Sequence, residues 1–91
     1  MNSRYVITKN KKMSRNKLDD CNLWTEEGKA NGHEIILTEV IPDSEAYAER
    51  LRRKGYKFIM AQVIFDGYQD NKEFNDWEEA EEWAINRAWE E

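Results

Sequence analysis

Tyr56-Lys57-Phe58-Ile59-Met60-Ala61-Gln62-Val63-Ile64-Phe65 is the longest apolar run in the chain, and β-branched and aromatic residues dominate it. Successive side chains of a strand point to opposite faces. One face therefore carries Tyr56, Phe58, Met60, Gln62 and Ile64, and the other Lys57, Ile59, Ala61, Val63 and Phe65. Both faces are mostly apolar. The run predicts an interior strand covered on both sides, or covered on one side with a dimer contact on the other.

Downstream of this strand, Asp66-Gly67 opens a polar connection that reaches Asn71. The chain reverses either at Asp66-Gly67 or around Gln69–Lys72, after which Lys72-Glu73-Phe74 pairs briefly with the strand. Asp76 to Glu79 fits a capping box, and Trp77 to about Glu90 reads as the last helix. At 100° per residue, Trp77, Ala80, Ala84 and Ala88 fall on one stripe flanked by Trp83 and Ile85. Small alanines there let a helix lie close against a sheet.

Upstream, Asp43 or Ser44 caps a helix running through Lys54. Tyr47, Ala48 and Leu51 form its inward side, and Gly55 stands at the left-handed C′ position. Acids begin this helix and Arg50, Arg52, Arg53 and Lys54 end it, as the helix dipole favours. Before it, Glu34–Ile41 is a strand stopped by Pro42. Arg4–Lys9 reads as a short strand, with Tyr5 and Ile7 on one face and Val6 and Thr8 on the other. Residues 15–24 read as a short helix capped by Ser14, with Leu18, Cys21 and Trp24 inward, and Thr25–Gly32 as a loop. The expected fold is α+β and two-layered, in one domain over residues 1–91. A three- or four-stranded, mostly antiparallel sheet would carry two helices packed on it.

Ninety-one residues hold one core and leave no room for a deep substrate chamber. The single cysteine, Cys21, permits no internal disulfide and suits a reducing compartment. No secretory h-region, long apolar span or lipidation motif is visible, so a soluble cytoplasmic protein is expected. The net charge of −5 is unevenly spread. From Met1 to Leu18 the charged side chains are all basic: Arg4, Lys9, Lys11, Lys12, Arg15 and Lys17. From Asp66 onward acids dominate, with Lys72 and Arg87 the only bases.

Glu78, Glu79, Glu82, Asn86 and Glu90 oppose the alanine stripe, with Trp89 at the border. Glu78 and Glu82 are a like-charged i,i+4 pair, unfavourable by roughly 0.2–0.5 kcal/mol. Glu90 and Glu91 stand at the negative end of the helix dipole, where a base would gain about 0.3–1 kcal/mol. Together with Asp66, Asp70, Glu73 and Asp76, these carboxylates would imitate a phosphate backbone and enter the basic groove of a nucleic-acid-handling protein. Trp83 and Trp89 would anchor the contact. The leading expectation is a non-enzymatic protein-binding module, an acidic inhibitor or nucleic-acid mimic, with a homodimer as a further option.

The competing expectation is nucleic-acid binding through the basic N-terminal segment and the Arg50–Lys54 cluster, with Tyr5, Tyr56 or Phe58 stacking on bases. A small enzyme built on His33 is the third alternative, but Ser3, Ser14 and Ser44 occupy no nucleophile motif. The sequence has no HExxH, no clustered Cys/His set and no EF-hand order, so neither a metal nor a cofactor is expected.

Overall fold

The computed structural model describes residues 6–7, 12–16 and 20–90. The chain runs β1 (Val6–Ile7), β2 (Lys12–Asn16), β3 (Cys21–Ala30), β4 (His33–Pro42), α1 (Glu45–Arg53), β5 (Ile59–Phe65), β6 (Tyr68–Phe74) and α2 (Trp77–Trp89). Among the described residues all strand pairs are antiparallel. The order is β1-β3-β4-β5-β6, with β2 also pairing β3. The architecture is α+β as the pattern predicts, with a wider sheet than the expected three or four strands.

The extra strands come from the stretch read as helix and loop. Residues 15–24 contribute to β2 and β3, and Thr25–Ala30 completes β3. Three inward positions spaced by three residues drift through about 120° of a helix, so they never made a narrow stripe. The long hairpin to β4 instead satisfies the backbone of β3 from Cys21↔Pro42 to Ala30↔His33. Asn31 and Gly32 turn that hairpin with φ of 52° and 78°. Positive φ at both central residues is the Asn-Gly hairpin signature. The Arg4–Lys9 strand overlaps β1 at Val6–Ile7, and its remainder lies outside the described residues.

Between β5 and β6 the chain reverses at Asp66-Gly67, with Gly67 at φ 90°. β6 then pairs along its whole length, well beyond Lys72–Phe74. β5 is interior, between β4 and β6.

The core lies under α2. Ala80, Ala84 and Ala88 are fully buried against Ile35, Leu37, Ala61 and Val63, with Ala30, Ile59 and Phe65 completing the cluster. Phe74, Trp77, Trp83 and Ile85 pack around its margin. The Asp76 carboxylate caps α2 by accepting from the Glu79 N–H (3.1 Å). At the other end Asn31 Nδ2 donates to the Ala88 carbonyl (3.1 Å), tying the β3–β4 turn to the helix terminus.

α1 meets the described sheet only at one strand. It contacts β4 among the strands, and Ala48 is its buried residue, while Tyr47 and Leu51 are half-buried. Its ends are built as expected, with Ser44 Oγ accepting from the Tyr47 N–H and Gly55 following at φ 81°. The geometric reason is that β4 and β5 are neighbours. A helix joining adjacent antiparallel strands bridges their ends and need not cross a face. Of the two helices expected to pack on the sheet, α2 covers the core and α1 packs against β4 alone among the described strands.

Register then fixes what remains uncovered, because residues directly opposite one another share a face. The face away from α2 carries Leu23 and Thr25 of β3, then Ile36, Thr38 and Val40 of β4. Met60, Gln62 and Ile64 continue it on β5, and Glu73 on β6. No described helix lies over it. Of the two options for the central strand, cover on both sides is not realised by the described elements.

Candidate functional site

The acidic residues expected to form one surface divide among several environments. Glu78, Glu79 and Glu82 are exposed on the outer side of α2. Among the described residues no cation pairs with these three. Asp76 is exposed but engaged as the helix cap. Asp70 and Glu90 converge on one guanidinium: Arg87 Nε bonds Asp70 at 2.5 Å, and Arg87 Nη1 lies 3.5 Å from Glu90. That guanidinium is half-buried and stands 4.7 Å over the Phe65 ring. Glu73 opposes Met60 and so belongs to the other side of the sheet. Trp83 packs against the core and sits 5.9 Å from Phe74, whereas Trp89 is 46 % exposed. The row of carboxylates thus shortens to Glu78, Glu79 and Glu82.

The basic candidates are drawn into local pairs. Arg52 Nη1 contacts Glu45 (3.0 Å) and Glu49 (3.3 Å), and Arg53 reaches Glu49 at 3.7 Å. Hydrogen bonding to Glu45 is the main cause that raises the Arg52 pKa. Arg50 lies over the Tyr47 ring at 5.7 Å. Tyr56 and Phe58 pack on one another at 5.5 Å, with Arg52 over Phe58 at the same distance. A groove of about 660 Å³ runs past Glu39, Arg52, Tyr56, Lys57, Phe58 and Asn75. It mixes both charge signs and includes no histidine, cysteine or hydroxyl nucleophile other than the tyrosine phenol.

Arg15, the described member of the basic N-terminal segment besides Lys12, binds Asp43 through both oxygens at 2.6 and 2.8 Å. This clamp joins β2 to the entry of α1 across β3. Arg15 hydrogen bonds hold the Asp43 carboxyl below the usual aspartate range, and the Arg15 pKa is raised in return. A carboxyl with a depressed folded pKa stabilises above its unfolded pKa of about 3.9, and that contribution fades as pH falls through the folded value. Asp43→Asn is accordingly expected to lower the urea midpoint at neutral pH. The gap from the parent protein should close progressively below about pH 4. A gap of equal size at both pH values would refute the assignment.

His33 is half-buried and packs edge-on against Phe65 at 4.7 Å, the environment of a packing residue. Cys21 is buried at the start of β3. No described group of three or more His, Cys, Asp and Glu side chains is arranged to hold a metal ion. No buried side-chain polar atom among the described residues lacks a hydrogen-bond partner. No described helix is long and apolar enough to cross a membrane.

The most conspicuous surface is the sheet face that no described helix crosses. Leu23, Ile36, Val40, Phe58 and Ile64 are half-buried there, while Met60 is 36 % and Tyr56 43 % exposed. A hollow of about 210 Å³ opens among Leu23, Thr38, Val40, Phe58 and Met60. Reading 15–24 as helix hid Leu23 from this group. The signal for the rest was present in Ile35-Ile36-Leu37, which is apolar on both faces as β5 is.

Fold and surface together define an open-faced antiparallel α+β protein, with one helix on one side of the sheet and an apolar face on the other. No protein-family model, curated protein or solved structure matches the chain.

Proposed function

We propose that this chain is a non-enzymatic protein-binding module whose contact surface is the sheet face opposite α2. One observation carries this: a contiguous apolar face through Leu23, Thr38, Val40, Phe58 and Met60 has no described helix across it, α1 reaching only its Phe58 end through Arg52. Monomeric proteins rarely leave such a face in water, and a contiguous apolar patch commonly marks an interaction site. Interior strands spend their β-branched and aromatic residues on both sides when both sides meet protein.

The acidic-helix reading keeps one supporting observation. Glu78, Glu79 and Glu82 project from a helix held rigid by its cap and its buried alanines, with no paired cation among the described residues. They would meet a basic partner, such as a nucleic-acid-handling enzyme or regulator, as an inhibitor that imitates phosphates. Association would weaken steeply with salt.

Cross-linking capture from cells producing the tagged chain separates the two readings. Binding through the sheet face is expected to be lost with Met60→Lys and retained when Glu78, Glu79 and Glu82 are all reversed to lysine. Loss with the lysine triple variant alone, and at raised salt, would transfer the function to α2. Capture indifferent to Met60→Lys would overturn the sheet-face proposal.

A further inference from the structure

We propose that the sheet face receives a second copy of this chain, forming a twofold face-to-face dimer with β4 along the axis. This rests on the sheet-face reading above and names its occupant.

The rows across the face are self-complementary under that operation. Leu23, Val40 and Phe58 lie in one row, since Leu23 opposes Val40 and the Val40 N–H donates to the Phe58 carbonyl at 2.7 Å. Thr25, Thr38 and Met60 form the next row, and Glu27, Ile36 and Gln62 the third. An axis along β4 exchanges β3 with β5. Val40 and Ile36 then meet their own counterparts, Leu23 meets Phe58 of the other copy, and Thr25 meets Met60. Every apolar side chain of the first row therefore faces an apolar side chain, with Arg52 and Tyr56 flanking the Phe58 end of the row. Glu34 lies beyond these rows at the far end of β4, where the twist of two stacked sheets splays their corners.

The extent of the face is sufficient for a weak dimer. Three rows about 6.8 Å apart on three strands about 4.8 Å apart, extended by two rows each of β2 and β6 that the same axis sets against one another, give a flat area of roughly 400 Å² per copy. Side-chain relief raises the accessible surface lost by the pair to on the order of 1,000 Å², the lower bound for a specific interface. The rim does not select a strongly charged foreign protein, because Lys29 and Lys57 are interspersed with Glu27, Glu34 and Glu73. Tyr56 and Met60, the exposed large apolar side chains beside the 210 Å³ hollow, supply the knobs that a second copy brings to it.

Analytical ultracentrifugation of the full chain from about 1 µM to about 500 µM tests this, a range that brackets the affinity of so small an interface. The mass should rise from monomer toward dimer with concentration and respond little to salt. Met60→Lys and Thr25→Arg should each weaken association at least about tenfold, a change of 1.4 kcal/mol. Circular dichroism checks the fold. If Met60→Lys unfolds, Thr25→Arg decides, because it alters a half-buried polar residue of the same row. A monomer at every concentration, or dimers unaffected by both folded variants, would overturn the proposal. If the monomeric protein still captures another protein through Met60, the dimer falls and the sheet-face module stands. Capture that ignores Met60 removes both.

Discussion

Leu37→Ala is expected to lower the free energy of unfolding by about 2–5 kcal/mol, in the upper part of that range. Leu37 is fully buried in the middle of β4, between Glu26 on β3 and Ala61 on β5. The cluster above it is built from the alanines of α2. Small neighbours have no long side chain to swing into a void, so the cavity stays open and its full cost is felt. Domains of this size hold only about 5–15 kcal/mol in total, so the variant should be partly unfolded near 37 °C. Urea denaturation followed by tryptophan fluorescence measures the loss. A change below about 1 kcal/mol would mean that the Leu37 site collapses or is not the centre of the core.

Ala84→Leu is the second large effect, with an expected loss of about 1–3 kcal/mol through overpacking. Ala84 is fully buried where α2 approaches the sheet, and an added isopropyl group has no vacant space to enter. The helix must lift or the leucine must leave its preferred rotamer, and Trp77 and Trp83, packed at the margin of the core, report the movement. Their emission should shift toward the red in the folded variant. Glu82→Leu on the exposed side of the same helix should be nearly neutral by the same measurement. Equal losses from both substitutions would contradict the assignment of the alanine stripe as the buried face.

The two core predictions and the two surface predictions draw on opposite sides of one sheet. α2 binds to the side carrying Ile35, Leu37, Ala61 and Val63. Leu23, Val40 and Met60 point the other way. A variant such as Met60→Lys therefore leaves the α2 core untouched, which is what makes it informative about partners.

Several elements were legible from local chemistry. Pro42, Ser44 and Gly55 mark the limits of α1, and the Asp76 cap with the alanine stripe of α2 is present as read. The apolar run at the centre of β5 announced an interior strand because its pattern needs no partner to be seen. Asn31-Gly32 is equally a hairpin signal, but with residues 15–24 read as helix it has no preceding strand to turn and reads as loop.

The candidate surface was harder to read. Asp70, Glu73 and Glu90 looked alike as carboxylates near α2, but strand register sends Glu73 to one side and Asp70 to the other, and Arg87 then gathers Asp70 and Glu90. A one-residue step along β6 decides the side, and no helical wheel contains that information. Trp83 shared the flank of the alanine stripe with Ile85, and both pack at the core margin.

By itself the sequence determined the α+β class, the two helices with their caps, and the strand at the middle of the sheet. Those features depend on interactions within a few residues, namely periodicity, dipoles, caps and the φ preferences of glycine, asparagine and proline. Only the tertiary structure decided that residues 21–30 are strand, that α1 packs against β4 alone among the described strands, and which described acids have no paired cation. Each of those outcomes depends on hydrogen bonds or ion pairs between residues distant in the chain, as in Cys21↔Pro42, Arg15 with Asp43 and Arg87 with Asp70. Such pairings exist only once the strands have found one another.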